Sequence, residues 1–420
     1  MRLDLEWSEV TAMVAGASTR LVNHALEIDL PALRALLESD ARIERVHLDL
    51  AHPGESCRIG RVVDVFAPRA KEDGGEDFPG VLGALTRAGS GRTRALANVT
   101  VVVTDQQLDN PATLAVIDMS GPIALLSPFA RTHNLVISAW PAPSVGRSEY
   151  LAAIRSAGLR AAVALARAAR GVDADAVEVF DLPAPTRVPA ELAHLPRVAY
   201  VFQIHSHQRP TGIDEGILYG DPVRRMLPTV VHPNEILDGA VLRGFMGRAV
   251  TTYATQNHPV IRELYAQHGR TLWFTGVVLT VAQATEPERV RSAVMAAGLV
   301  ADVLGADGAV FTKIGGGAPH VDMAQAAAHC EALGVKTTLI VEDMSTDGSE
   351  EGMLLFNFPG LDALVNVGSA QEKTMLPAMA RVIGADDLAA ALAAAAPSSY
   401  GAICGAIEQV GLSRVMARVQ

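Results

Sequence analysis

The chain has 420 residues, with 46 acidic against 35 basic side chains and a net charge of −11. At roughly 150 residues per domain this length allows two or three domains with buried cores, and without a run of basic residues to neutralise phosphates no nucleic-acid partner is expected. No membrane span is expected either, because no run of about eighteen apolar residues occurs. The mixed acidic and apolar start shows no secretory signal, and the scattered cysteines Cys57, Cys330 and Cys404 form no CxxC pair, so a cytoplasmic protein in a reducing compartment is expected.

In chain order, residues 45–50, 57–66 and 99–104 carry alternating or β-branched patterns that predict strands, with Pro53-Gly54, Gly74-Gly75 and Pro79-Gly80 as turns between them. Residues 149–170 switch to an Ala-rich helical period ending before Gly171. Pro183, Pro185, Pro189 and Pro196 then mark a connector over 181–196. Beyond it, strands at 198–204, 272–281, 309–312, 336–341 and 363–367 are interleaved with helices at 286–304 and 321–333, and an Ala/Leu helix is expected at 388–396. Alternation of this kind predicts βαβ units and a parallel sheet. The expected fold is α/β: a β-rich N-terminal domain over 1–180, the connector, and a parallel-sheet α/β domain over 197–420. Ligands in such sheets gather beyond the carboxyl ends of strands, which directs attention to the turns after Ile204, Thr312 and Val341.

Three polar segments carry candidate chemistry. His205 and His207 are two apart at a strand end and share a face if the strand persists, as two ligands of one metal ion would; two hydrogen-bonded loop histidines fit the same spacing. His232-Pro233-Asn234-Glu235 with Asp238 puts two carboxylates on one face of a short helix beside an imidazole, suited to acid/base work, to a cation or to a capped turn. The run from Thr251 and Thr252 through Tyr253, Gln256, Asn257 and His258 is too polar for a core strand and suits a polar pocket or a hydrogen-bonded loop. Gly315-Gly316-Gly317 lies between a strand and a helix but lacks the nucleotide-binding spacings, and reads as a βα turn. Glu342 and Asp343 stand after the next strand, with Asp347-Gly348 beyond them. Neither GxSxG nor HExxH occurs.

Taken in order, several segments resemble the glycine/sarcosine/betaine reductase component B proprotein family (alpha and beta subunits) and, more distantly, the D-proline reductase proprotein. They include Pro53-Gly54-Glu55-Ser56, Ser90-Gly91-Arg92-Thr93, Ile117-Asp118-Met119-Ser120-Gly121-Pro122, His232-Pro233 with Glu235, Asp238-Gly239-Ala240, Thr251-Thr252-Tyr253, Gln256-Asn257 and Pro259-Val260-Ile261. The resemblance implies a substrate-specific component that works with a separate selenoprotein subunit and a thiol carrier in reductive C–N cleavage. It also implies self-cleavage at an Asn-Cys pair whose cysteine becomes a pyruvoyl group.

This sequence departs from that pattern. Phe245-Met246 stands in the approximate place of Asn-Cys, and nothing from Gly239 to Val250 carries a hydroxyl or thiol. An acyl shift needs such a nucleophile, so the pyruvoyl group is expected to be absent and the chain intact. The His205-x-His207 pair, also foreign to the pattern, suggests a divalent metal, zinc above others, with His232 or Glu235 completing the set. The expected function is an unprocessed component B homologue that binds a small amino acid or amine. Its catalytic candidates are Glu235, Asp238, Thr251 and Thr252, and its substrate-binding candidates are Tyr253, Gln256, Asn257 and His258. A reductase partner subunit and homo-oligomerisation are expected with it. The alternative is a stand-alone metal-dependent hydrolase or lyase using His205, His207 and His232.

Overall fold

The strand Val99–Asp105 is buried at every position because both of its faces are covered. Val101 and Val103 pack toward the helix Arg147–Arg167, while Val102 packs the other way against Val65, Val136 and Ile59, as side chains alternate along a strand. In the computed structural model, which describes residues 1–108, 110, 114–184, 187, 189–206, 215–244, 250–344, 362–413 and 416–418, this strand lies inside a four-stranded sheet. Its order is Ile43–Ala51, His133–Pro141, Val99–Asp105, Val62–Phe66. The helix approaches so closely that a Cβ at Gly158 would stand 2.4 Å from the Phe66 ring, which accounts for glycine inside an otherwise alanine-rich helix. A second four-stranded sheet joins Ala176–Asp181, Arg2–Glu9, Gly91–Ala97 and Arg69–Lys71.

The second half forms a seven-stranded sheet in the order Thr229–Val231, Trp273–Ala282, Arg197–Ser206, Gly308–Thr312, Lys336–Val341, Ala363–Asn366, Met416–Arg418. The five inner strands are parallel and the two edges antiparallel. The α/β architecture expected from the sequence is thus present. Arg197–Ser206 comes first in the chain, yet the next parallel strand, Trp273–Ala282, lies on one side of it and the one after, Gly308–Thr312, on the other. Tyr200, Phe202 and Ile204 share a core with Ile261 and Leu264 of the helix Pro259–Gln267, whereas Ala199 and Val201 pack with Ala293 and Ala327 of the helices Glu286–Gly298 and Ala318–Ala332. The two connections therefore cover opposite faces. Where strand order reverses in this way, a crevice opens at the carboxyl ends of the diverging strands, here those of Arg197–Ser206 and Gly308–Thr312.

After this sheet the chain returns to the N-terminal half. Arg381–Ile383 runs parallel to Cys57–Ile59, whose other neighbour is Ile117–Asp118. Arg58, fully buried, spans Asp118 with two bonds of 2.6 and 2.8 Å and donates to the carbonyls of Leu392 at 2.5 Å and Pro377 at 2.8 Å.

Local departures from the sequence reading have local causes. The pattern over 57–66 is two strands in different sheets, broken at Arg61, whose φ is +54°. The helix expected over 388–396 stops at Ala393, and Ala396–Ser399 is a strand paired with Lys373–Leu376, because Pro397 biases the residue before it to extended backbone. The helix from Glu286 is regular to Gly298 and continues as a π turn over Leu299–Val303. No helix among the described residues is long and apolar enough to cross a membrane.

Removing one partner of a buried ion pair strands the other charge. Arg58→Met is therefore expected to lower unfolding stability by about 3–5 kcal/mol, measured by urea denaturation. Arg58→Met combined with Asp118→Leu is expected to recover most of that loss.

Candidate functional site

Lys313 follows the last residue of the strand Gly308–Thr312 and is fully buried. Its Nζ donates to the carbonyl of Gly315 at 2.5 Å, its only hydrogen bond among the described residues. Burial pulls the ammonium down to about 8, while Glu342 pulls the other way. The turn beyond it is braced by two glutamine side chains. The amide of Gln203 accepts from Ile314 N–H at 3.5 Å and donates to the Pro319 carbonyl at 3.3 Å. Gln409 accepts from Gly315 N–H at 2.7 Å and donates to Glu342 at 2.5 Å. The helix Ala318–Ala332 starts from this turn, and its third residue, His320, is buried with neither ring nitrogen hydrogen-bonded among the described residues. Burial and the Lys313 charge together hold His320 neutral.

Next to this turn lies a seam of buried acids. Glu408 accepts from the Thr251 hydroxyl at 3.0 Å and from its N–H at 3.3 Å. Burial pushes the Glu408 carboxyl up to about 8, against which the Thr251 bonds and Arg243 act. Asp64 accepts from Thr252 through the hydroxyl at 2.6 Å and the N–H at 2.7 Å, and burial raises it to about 6. A carboxyl protonated at neutral pH can donate a proton that an exposed one cannot. Below the crevice, Tyr200 bonds both His258, at 3.0 Å, and Thr312; burial lowers His258 to about 3.

The residues singled out by sequence fall into distinct settings. His205 is buried on the strand Arg197–Ser206, while His207 lies outside the described residues, as do 245–249 and 345–361. His232 is the N-cap of Pro233–Leu237: its Nδ1 accepts from Asn234 N–H at 3.2 Å, and its Nε2 donates to the Leu182 carbonyl at 3.1 Å. With both nitrogens so engaged, the ring has no lone pair to offer a metal. Burial lowers it to about 4. Glu235 closes the capping box on His232 N–H at 2.8 Å and accepts from Tyr219 at 2.5 Å. Asp238 turns elsewhere, to Lys71 at 2.6 Å, Gly89 N–H at 2.7 Å and Thr93 at 2.8 Å. The two carboxylates thus hold separate structural contacts and form no acid/base pair. Among the described residues no three His, Cys, Asp or Glu side chains come together as a metal site.

Thr251 caps the short helix Thr252–Gln256, accepting from Ala254 N–H at 3.2 Å. Tyr253 packs edge-on against Phe129, Gln256 pairs with both backbone groups of Ala67, and Asn257 accepts from Arg69 at 2.7 Å. Three of the proposed pocket residues thus tie the two halves together, while Thr251, Thr252 and His258 reach the acid seam and the crevice. The sequence reading did not single out Lys313, His320, Glu408 or Asp64. Its only signal for Lys313 was a charged residue between an apolar strand and three glycines.

Glycine/sarcosine/betaine reductase component B subunits form the family that matches residues 1–407. The chain is 31% identical to the glycine reductase complex component B subunits alpha and beta of Acetoanaerobium sticklandii, over the full length of both. It is 34% identical over 388 residues to the sarcosine reductase complex component B subunit alpha of Peptoclostridium acidaminophilum, covering 91% of this chain and 89% of that one. The betaine reductase complex component B subunit alpha of the same organism is 31% identical over 91% of this chain and 88% of its own. No solved structure matches significantly.

The raised Glu408 carboxyl has a measurable consequence. The native state keeps a proton that the unfolded chain releases near 4.5, so this contribution is full below that value and fades as pH rises through about 8. Urea unfolding of the wild type is expected to lose up to roughly 1.4 kcal/mol per pH unit across that window. Glu408→Gln, which keeps an acceptor for Thr251, is expected to flatten the slope.

Proposed function

We propose that this chain, which belongs to the glycine/sarcosine/betaine reductase component B family, is an unprocessed component B. In this reading it binds a small amino acid or amine and presents it to a separate reductase subunit for C–N or C–X bond cleavage, without a pyruvoyl group. The lineage is supported by the match over residues 1–407 and by full-length similarity to a glycine reductase component. The relatives are named for glycine, sarcosine and betaine, which have in common a nitrogen and a carboxylate on one carbon.

The observation that carries the unprocessed reading is chemical. From Gly239 to Val250 no residue supplies the hydroxyl or thiol that an acyl shift requires. The nearest hydroxyls, those of Thr251 and Thr252, are committed to Glu408 and Asp64. Cys57, Cys330 and Cys404 are all buried, and burial raises their thiols, Cys57 to about 11 and Cys330 to about 12. None is suited to act as a thiolate nucleophile.

The intact mass of the purified protein is expected to be that of one 44.2 kDa chain, and a hydrazine reagent that traps pyruvoyl carbonyls is expected to leave it unlabelled. Two fragments, or a hydrazone adduct at a new N-terminus, would overturn the unprocessed reading. Reconstitution with a reductase subunit and a thiol carrier, followed by release of amine from glycine, sarcosine or betaine, tests the activity.

A further inference from the structure

Lys313 is a cation buried at the reversal point of the sheet with a single carbonyl acceptor among the described residues. Taking an ammonium out of water is costly unless an opposite charge accompanies it. The nearby carboxylate, Glu342, acts on Lys313 through space but makes no direct ion pair with it among the described residues, and accepts instead from Gln409 at 2.5 Å and from Ala370 N–H at 3.2 Å. Two further features lie at the same turn. The helix Ala318–Ala332 begins there, and its N-cap, Gly317, has no side chain with which to cap the positive end of these 15 residues. His320, 4% exposed, has both ring nitrogens unpaired among the described residues. A neutral imidazole always carries one N–H, and a buried donor left unpaired is uncommon in a native structure.

These observations converge on an anion. We infer that the turn Lys313–Gly317, with His320, is the seat of the carboxylate of a small amino acid, held by the Lys313 ammonium, the start of the helix Ala318–Ala332 and the His320 N–H. Gly315 and Gly317, with φ of +78° and +74°, give the turn backbone conformations that other residues rarely adopt. The brackets from Gln203 and Gln409 fix the turn before any ligand arrives, which reduces the ordering needed on binding. The position is the one where open α/β sheets receive ligands. This inference rests on the amino-acid reading above and assigns a side of the substrate to it: the carboxylate points to Lys313, leaving the nitrogen toward the acid seam at Glu408 and Thr251.

The test titrates the full chain by calorimetry with four probes at millimolar concentrations: glycine, acetate, inorganic phosphate and glycinamide, the last keeping the amine without the carboxylate. Glycine and acetate are expected to bind and glycinamide to fail. Lys313→Met is expected to weaken both carboxylates by about tenfold or more, the scale of a lost charge-assisted bond. His320→Gln, which tests the site if Lys313→Met fails to fold, is expected to weaken them less. Binding of glycine unchanged in both variants would overturn the site while leaving the component B reading intact. Acetate that binds through Lys313 while glycine fails would keep the anion seat and overturn the amino-acid reading. Binding of phosphate alone, or of no probe, would overturn the inference.

Discussion

Arg58 is the joint on which the two halves of the molecule depend. Its guanidinium has been taken wholly out of water, and that cost is offset because each of its three nitrogens meets an oxygen: two from Asp118 and one each from Pro377 and Leu392. The strand bearing Arg58 can pair with Arg381–Ile383 only when the chain has come back from the far sheet to supply those carbonyls. A buried ion pair of this kind contributes less to net stability than to selecting one arrangement, and the arrangement selected here has a functional result. The returning segment continues to Glu408 and Gln409, which close on Thr251 and on the turn at Gly315.

The parts of the fold legible in the sequence are those whose cause is local. The inner strands between residues 197 and 341 are covered on both faces and read as short apolar runs, and the helices between them bury one face, so the alternation of the two patterns gives the parallel sheet directly. The candidate site was legible only in its outline. The turns after Ile204 and Thr312 were singled out because strand ends collect ligands, and Lys313 and Gln203 stand there. What makes them a site is supplied from far away: Glu408 meets a threonine 157 residues earlier, and Asp64 meets one 188 residues later. No spacing rule reaches over such distances. His232 and Glu235, singled out as a ligand and a base, stand in the structure as the two members of a capping box.

Electrostatically the molecule works against its own net charge. A chain with an excess of eleven negative charges keeps a cation, a helix start and a neutral imidazole together at the crevice, and two buried acids of the seam, Asp64 and Glu408, are held by burial toward their uncharged forms. Desolvation is the dominant cause at each of these groups. The interior at the crevice is therefore dry as well as polar, the condition under which oriented donors act most strongly on a bound charge.

The return of the chain also orders events in time. During synthesis the N-terminal half and most of the parallel sheet emerge well before residues 404–409, and domains tend to fold as they emerge. Until those last segments arrive, the turn at Gly315 lacks its Gln409 bracket, and Thr251 lacks the acid that accepts its hydroxyl proton. A nascent chain would thus hold a largely formed sheet with an unfinished crevice until residues 404–409 have emerged and closed on it.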